Sequence, residues 1–258
     1  TSVSNGSVYD SPPVPTTGTY TMVIDPGATV TGSLTLTLSA EIGGSITMGG
    51  SPVSVSITRV GQKGRLLFSG SLNQRVSLSI TGVTASNGSA DVRLFRPDGS
   101  LISGYPNWSQ MTVGVGGGFL GTYPLPINAP PGDYAVYLIP GSGGTASATF
   151  TLYNVPADVT GTLTINGPAA PVNITVPGQN SSFTFTGTTG QVVTLRGANN
   201  SIGCGNFVLI FPNSSVSATQ QCAATFAWGV TLQTGTHTLQ FDPSGANTGS
   251  VNLSVTQP

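Results

Sequence analysis

One 24-residue pattern occurs three times in this chain: GTYTMVIDPGATVTGSLTLTLSAE at 18–41, GDYAVYLIPGSGGTASATFTLYNV at 132–155 and GTHTLQFDPSGANTGSVNLSVTQP at 235–258. The pattern constrains the fold because apolar residues alternate with Ser and Thr around a Pro/Gly turn, the signature of two strands rather than a helix. Matching front halves, GQKGRLLFSGSLNQRVSLSI at 61–80 and GQNSSFTFTGTTGQVVTLRG at 178–197, precede the second and third copies. Nothing comparable precedes the first, so the chain is expected to begin mid-module.

Period-2 alternation recurs elsewhere, as in Val53, Val55, Ile57 and Val172, Ile174, Val176. Each such run buries one face and wets the other. Helical periodicity is absent, and 36 Gly and 19 Pro punctuate the short apolar runs. The fold class is therefore all-β, with tandem antiparallel β-sandwich modules of jelly-roll or immunoglobulin-like type. Gly61 and Gly178, Phe68 and Phe185, Gly70 and Gly187, and Gln74 and Gln191 stand at one constant spacing of 117 residues, which sets the boundaries. Residues 1–40 form an incomplete module holding a back half of about three strands, 42–155 a complete module and 160–258 a second complete one. The joints are short, and Pro156 stiffens the second.

The block Gly178, Gln179, Phe185, Gly187, Gly190, Gln191, Val193, Leu195, followed by FRPDGS at 95–100 in the middle module and by the thrice-written closing pattern, resembles the tandem β-sandwich repeats of secreted bacterial surface proteins. It is similar to bacterial pre-peptidase C-terminal domains. That resemblance implies non-catalytic modules tied to secretion and surface display, sometimes with calcium or polysaccharide binding. The Asp of the DP turn is present as Asp25 and Asp242, but Ile139 stands in its place in the middle copy. A calcium role carried over from that turn lapses there.

Charge narrows the function. Only 6% of residues are charged and the net charge is −1, which gives no electrostatic reason for a nucleic-acid or anionic-membrane partner. No apolar run approaches the roughly 20 residues of a membrane span, and the start at Thr1 is expected to reflect a processed product. Eight acids, seven bases and one histidine are a thin supply for catalysis, so no enzyme and no catalytic residue is expected. His237 occupies the slot of Tyr20 and Tyr134 in the other copies and reads first as a strand residue, with a ligand or base as the alternative. Asp25, Asp98 and Asp242 are weak calcium candidates; turn capping by the same carboxylates is the competing account, and no cofactor is otherwise expected.

Cys204 and Cys222, the only cysteines, read as a disulfide closing a loop, with a reduced core pair as the alternative. The disulfide reading agrees with an extracellular or cell-surface address. Asn-X-Ser/Thr sequons at Asn5, Asn87, Asn107, Asn173, Asn180, Asn199, Asn213 and Asn252 are candidate glycosylation sites, since so uncharged a surface needs another source of hydration. Tyr105, Trp108 and Tyr123 are candidates to stack on a sugar, against core or joint packing.

Two functions of different classes compete. In one, the chain is a non-enzymatic structural segment of an extracellular fibre or surface stalk, a homopolymer joined head to tail by completion of the partial N-terminal module. In the other, it is a polysaccharide-binding or adhesive accessory of a larger secreted bacterial protein.

Overall fold

A computed structural model describes Tyr9, Val14 and residues 16–102, 110–125 and 133–258, without the side chains of Gln110, Tyr123 and Pro124. Among these residues every regular element is a strand. The first module contains β1 (Ile42–Ser45), β2 (Val53–Ile57), β3 (Gly64–Ser69), β4 (Arg75–Ala85), β5 (Ala90–Phe95), β6 (Gln110–Val113), β7 (Gly118–Pro124), β8 (Asp133–Pro140) and β9 (Ala146–Asn154). The second contains β10 (Val159–Thr162), β11 (Ala170–Ile174), β12 (Ser181–Gly187), β13 (Val192–Ala198), β14 (Gly205–Ile210), β15 (Val216–Gln221), β16 (Phe226–Thr231), β17 (Gly235–Pro243) and β18 (Gly249–Thr256).

Each module is a five-stranded sheet facing a four-stranded one. The orders are β1-β3-β8-β5-β6 over β2-β9-β4-β7, and β10-β12-β17-β14-β15 over β11-β18-β13-β16. Adding nine to every label of the first module reproduces the second, so the sequence repeat is a repeat of topology. The ladders between strands are antiparallel except at one edge of each five-stranded sheet, where β1 runs parallel to β3 and β10 to β12. The departure from a purely antiparallel sandwich has a simple cause. The chain visits the opposite sheet as β2 or β11 before returning, and that crossover brings the third strand in alongside the first.

The alternation read from sequence decides what is buried. Along β12 and β18 every second side chain turns inward, and the two facing inner surfaces make a separate core in each module. In the first, Leu78, Ile80, Leu138, Phe150 and Leu152 are fully buried; in the second, Phe185, Phe207, Phe241, Leu253 and Val255 are. Aromatic stacking fixes the same spot in both, Tyr134 on Phe68 at 5.4 Å and His237 on Phe185 at 5.2 Å.

One expectation differs from what is observed. Residues 16–41, predicted to bear strands, form no ladder. The turn of FRPDGS at 95–100 recurs at 210–215 of the second module. Asp98 and Asn213 hold equivalent turns, each accepting from the backbone N–H and the hydroxyl of a serine two residues on. Arg96 therefore corresponds to Phe211.

Candidate functional site

The first copy of the closing pattern is the feature that sets this molecule apart from two plain sandwiches. In the second copy, residues 132–155 supply β8 and β9; in the third, 235–258 supply β17 and β18. These are interior strands: β8 lies between β3 and β5, β9 between β2 and β4, and the third copy repeats the arrangement. Tyr20, Met22, Ile24, Leu34, Leu36 and Leu38 occupy the six positions whose counterparts in the other copies are at most 3% exposed, yet here they are 48–86% exposed. The same pattern that makes the core of two modules is an uncovered arm in its first occurrence. Exposed alternating apolar side chains beside unpaired backbone are a template for pairing with another set of strands.

The arm leads into a joint whose equivalent between the two modules is closed. There the Val155 N–H donates to the Arg75 carbonyl at 2.8 Å, and the Arg75 guanidinium meets the Asp158 carboxylate at 2.6 Å. The Ser77 hydroxyl donates to the Pro177 carbonyl at 2.7 Å, and the Thr122 hydroxyl to that of Gly178. Gly178 has φ of +86°, and a Cβ there would lie 2.7 Å from Thr122 Oγ1 and 2.9 Å from Ser77 Cβ, so both the turn and the close approach require glycine. Gln179 ties the turn to the joint by donating from Nε2 to the Ala157 carbonyl at 2.9 Å. Arg75, Ser77, Thr122 and Asp158 escape a reading of the sequence because they are far apart along it. Ser77 lies on the outward face of β4, between the core residues Val76 and Leu78, where a hydroxyl is what alternation gives any solvent-facing position, so nothing in the sequence marked it.

Electrostatics at this junction are modest. The Asp242 carboxyl is pushed above the usual carboxylate range by crowding that strips its hydration, and further by the negative charge of Asp158. With its amide turned so that nitrogen faces the acceptors, Asn180 donates to Asp242 Oδ1 at 3.1 Å and to the Gln179 carbonyl at 3.3 Å. This sequon asparagine is thus engaged at the module joint.

The other sequence candidates are dispersed. Cys204 and Cys222 are bonded to each other, which ties the start of β14 to the end of β15. Asn87, Asn173, Asn199 and Asn213 are exposed, and Asn252 is half-buried on interior strand β18. Asn87 spends its amide on the Ser142 carbonyl, whereas Asn213 uses only its carbonyl oxygen in its turn. Asn5, Asn107, Tyr105 and Trp108 lie outside the described residues, as does the side chain of Tyr123. Trp228 is half-buried and lines a narrow apolar crevice with Phe207, Phe226 and Leu239.

Asp25, Asp98 and Asp242 fall on the arm and on separate modules, and no three His, Cys, Asp or Glu side chains converge among the described residues. Hydrogen bonds from Ser100 hold the Asp98 carboxyl below its usual range, which is the turn-capping role. His237 is fully buried between Phe185 and Phe211, and burial lowers its pKa. No helix is long and apolar enough to cross a membrane among the described residues.

No family model matches the chain, and no curated protein does. Solved structures similar to it include the pre-peptidase C-terminal domain of a collagenase from Bacillus anthracis, at 14% identity over 39% of this chain and 97% of that one, with a TM-score of 0.34. The Aeromonas hydrophila periplasmic inhibitor of g-type lysozyme, PliG, is 17% identical over 38% of this chain and 99% of its own, with a TM-score of 0.29. The tandem CBM22-1–CBM22-2 domain of Paenibacillus barcinonensis Xyn10C is 10% identical over 75% of this chain and 82% of its own, with a TM-score of 0.25. The fold assignment rests on the chain's own ladders: it is a tandem pair of all-β sandwich modules, and a pre-peptidase C-terminal domain is among the structures it is similar to.

Proposed function

We propose that this chain is a non-enzymatic structural segment of an extracellular fibre or surface stalk, joined to its neighbour through the arm at residues 18–38. The single observation behind this reading is the arm itself: six apolar positions that close a sandwich twice in this chain stand uncovered in their first occurrence. Completion of the arm needs front strands that are not already closed. β8–β9 and β17–β18 fill those places in both described modules, so the receiving strands lie outside these two closed modules, and the reading takes them from a neighbouring chain or from a second copy by exchange of its closing strands. A head-to-tail contact of this kind does not close on itself and propagates a filament. A net charge of −1 leaves little repulsion to oppose it, and the Cys204–Cys222 bond suits an oxidising, extracellular setting.

Sedimentation velocity over a concentration series, with electron microscopy of the same samples, tests the proposal. The parent is expected to form concentration-dependent oligomers or fibres, and Leu34→Asp/Leu36→Asp to remain monomeric with both modules folded. A parent that stays monomeric at high concentration and shows no fibres refutes it.

A further inference from the structure

We infer that the turn at 58–62, with Leu38 and Glu41, is an open copy of the module junction, and that its occupant is the end of a sandwich front half carrying a basic residue where the first module carries Arg75. This rests on the reading of the arm as a closing cassette, and adds to it the identity of the partner surface.

The two joints share one framework. Ile42 N–H donates to the Lys63 carbonyl at 2.8 Å as Val159 N–H does to that of Asn180 at 2.9 Å. Gln62 Nε2 reaches the Ala40 carbonyl at 3.2 Å as Gln179 Nε2 reaches that of Ala157 at 2.9 Å. Gly61 has φ of +82°, against +86° for Gly178. In this register Val60 stands for Pro177 and Glu41 for Asp158. What differs is the far side. Pro177, Gly178 and Asp158 are met by Ser77, Thr122 and Arg75 of the preceding module, whereas Val60 is 48% exposed with its carbonyl accepting from the Ser39 hydroxyl of the arm at 3.0 Å, and among the described residues Glu41 pairs with Arg65 of its own module at 3.4 Å.

Charge selects the occupant. An acid at the joint is kept in both places, and at the closed joint its partner is the first residue of a module's fourth strand. The second module begins the equivalent strand with Val192, which leaves a carboxylate unanswered. A front half of the first module's type fits this surface; one of the second module's type does not. The same front half would receive residues 19–26 between its third and fifth strands and 32–38 between its second and fourth, by the register of β8 and β9.

The experiment replaces residues 1–17 with a second copy of residues 42–131, placed directly ahead of Gly18 as it stands ahead of Gly132 in the parent. Thermolysin cleavage between Met22 and Leu38 is followed beside thermal unfolding. The expected result is a third unfolding transition and cleavage slowed by about tenfold or more, since cleavage follows the population of the open arm. Arg75→Glu in the added copy should speed cleavage about two- to fivefold, as loss of a half-buried pair does, and Glu41→Arg in the same chain should reverse that. Cleavage at the parent's rate overturns the inference. Slow cleavage that ignores both charge reversals overturns the junction pairing while leaving arm completion standing. Fibre formation by the parent, read separately by sedimentation and microscopy, decides the proposed function.

Discussion

Leu36 and Leu253 are the same residue at the same place in two copies of one pattern, and only their surroundings differ. Leu253 lies on β18, paired across to Ala170 and Gly197, and is fully buried; Leu36 is 56% exposed and is in no strand ladder among the described residues. Truncating a buried leucine removes its transfer free energy and leaves a cavity, about 2–5 kcal/mol together. In a module of this size ~1 kcal/mol moves the midpoint about 4–8 °C. Leu253→Ala, at ~3 kcal/mol, should therefore lower the second module's transition by about 12–24 °C in differential scanning calorimetry. Leu36→Ala should change either transition of the monomer by no more than a surface substitution does, about 0.5 kcal/mol, and should show its cost only in the assembled state. If Leu36→Ala lowers a monomer transition by as much as Leu253→Ala, the arm is packed within its own chain and the reasoning fails.

Three further outcomes can be checked. Reduction of Cys204–Cys222 frees a loop 18 residues long and should cost the second module about 3 kcal/mol in the chain-entropy model while leaving the first transition in place, as scanning calorimetry with and without reductant would show. His237 accepts from the Gln233 N–H at Nε2, and its buried ring resists protonation, so folding holds its pKa below the ordinary 6.5. The second module should keep its stability above that value and lose it as pH falls from there toward the lowered folded pKa; His237→Tyr, the residue of the other two copies, should abolish that loss in urea titrations at stepped pH. Gly178→Ala forces a side chain into left-handed backbone against Thr122 and Ser77, and should cost more than about 1 kcal/mol in the second module's transition.

Much of the architecture was written in the sequence because burial is. Val172, Ile174, Leu253 and Val255 alternate with polar residues, and each turns inward as that pattern requires. The arm shows the limit of the rule. Alternation says which side of a strand will be covered, never whether the covering strands are at hand, so residues 18–38 read the same as 132–152 and end up differently. The parallel edges were hidden because β1 and β10 are four residues long, too short for any pattern to report direction. At the junction, Arg75 and Asp158 are 83 residues apart, and only the folding of two modules brings them together. Of the site candidates, the disulfide was legible from spacing and isolation, whereas Asp25 and Asp242 shared the DP motif, Asp98 a different turn, and the three no common location.

The order in which the strands are made has a consequence for how the molecule is born. In both modules the last strands synthesised are interior to both sheets. Before β8 emerges, the five-stranded sheet is two separate ribbons, β1–β3 and β5–β6, and before β9 emerges β2 has no neighbour in its sheet. A nascent module therefore stays in unlinked pieces until β8 or β17 joins its five-stranded sheet, and sets only when β9 or β18, its final strand, leaves the ribosome, a late closure characteristic of folds dominated by distant contacts. Until that moment the two interior places stand open to any strand pair of the right register, so timing during synthesis, as much as affinity, bears on which copy of the pattern fills them.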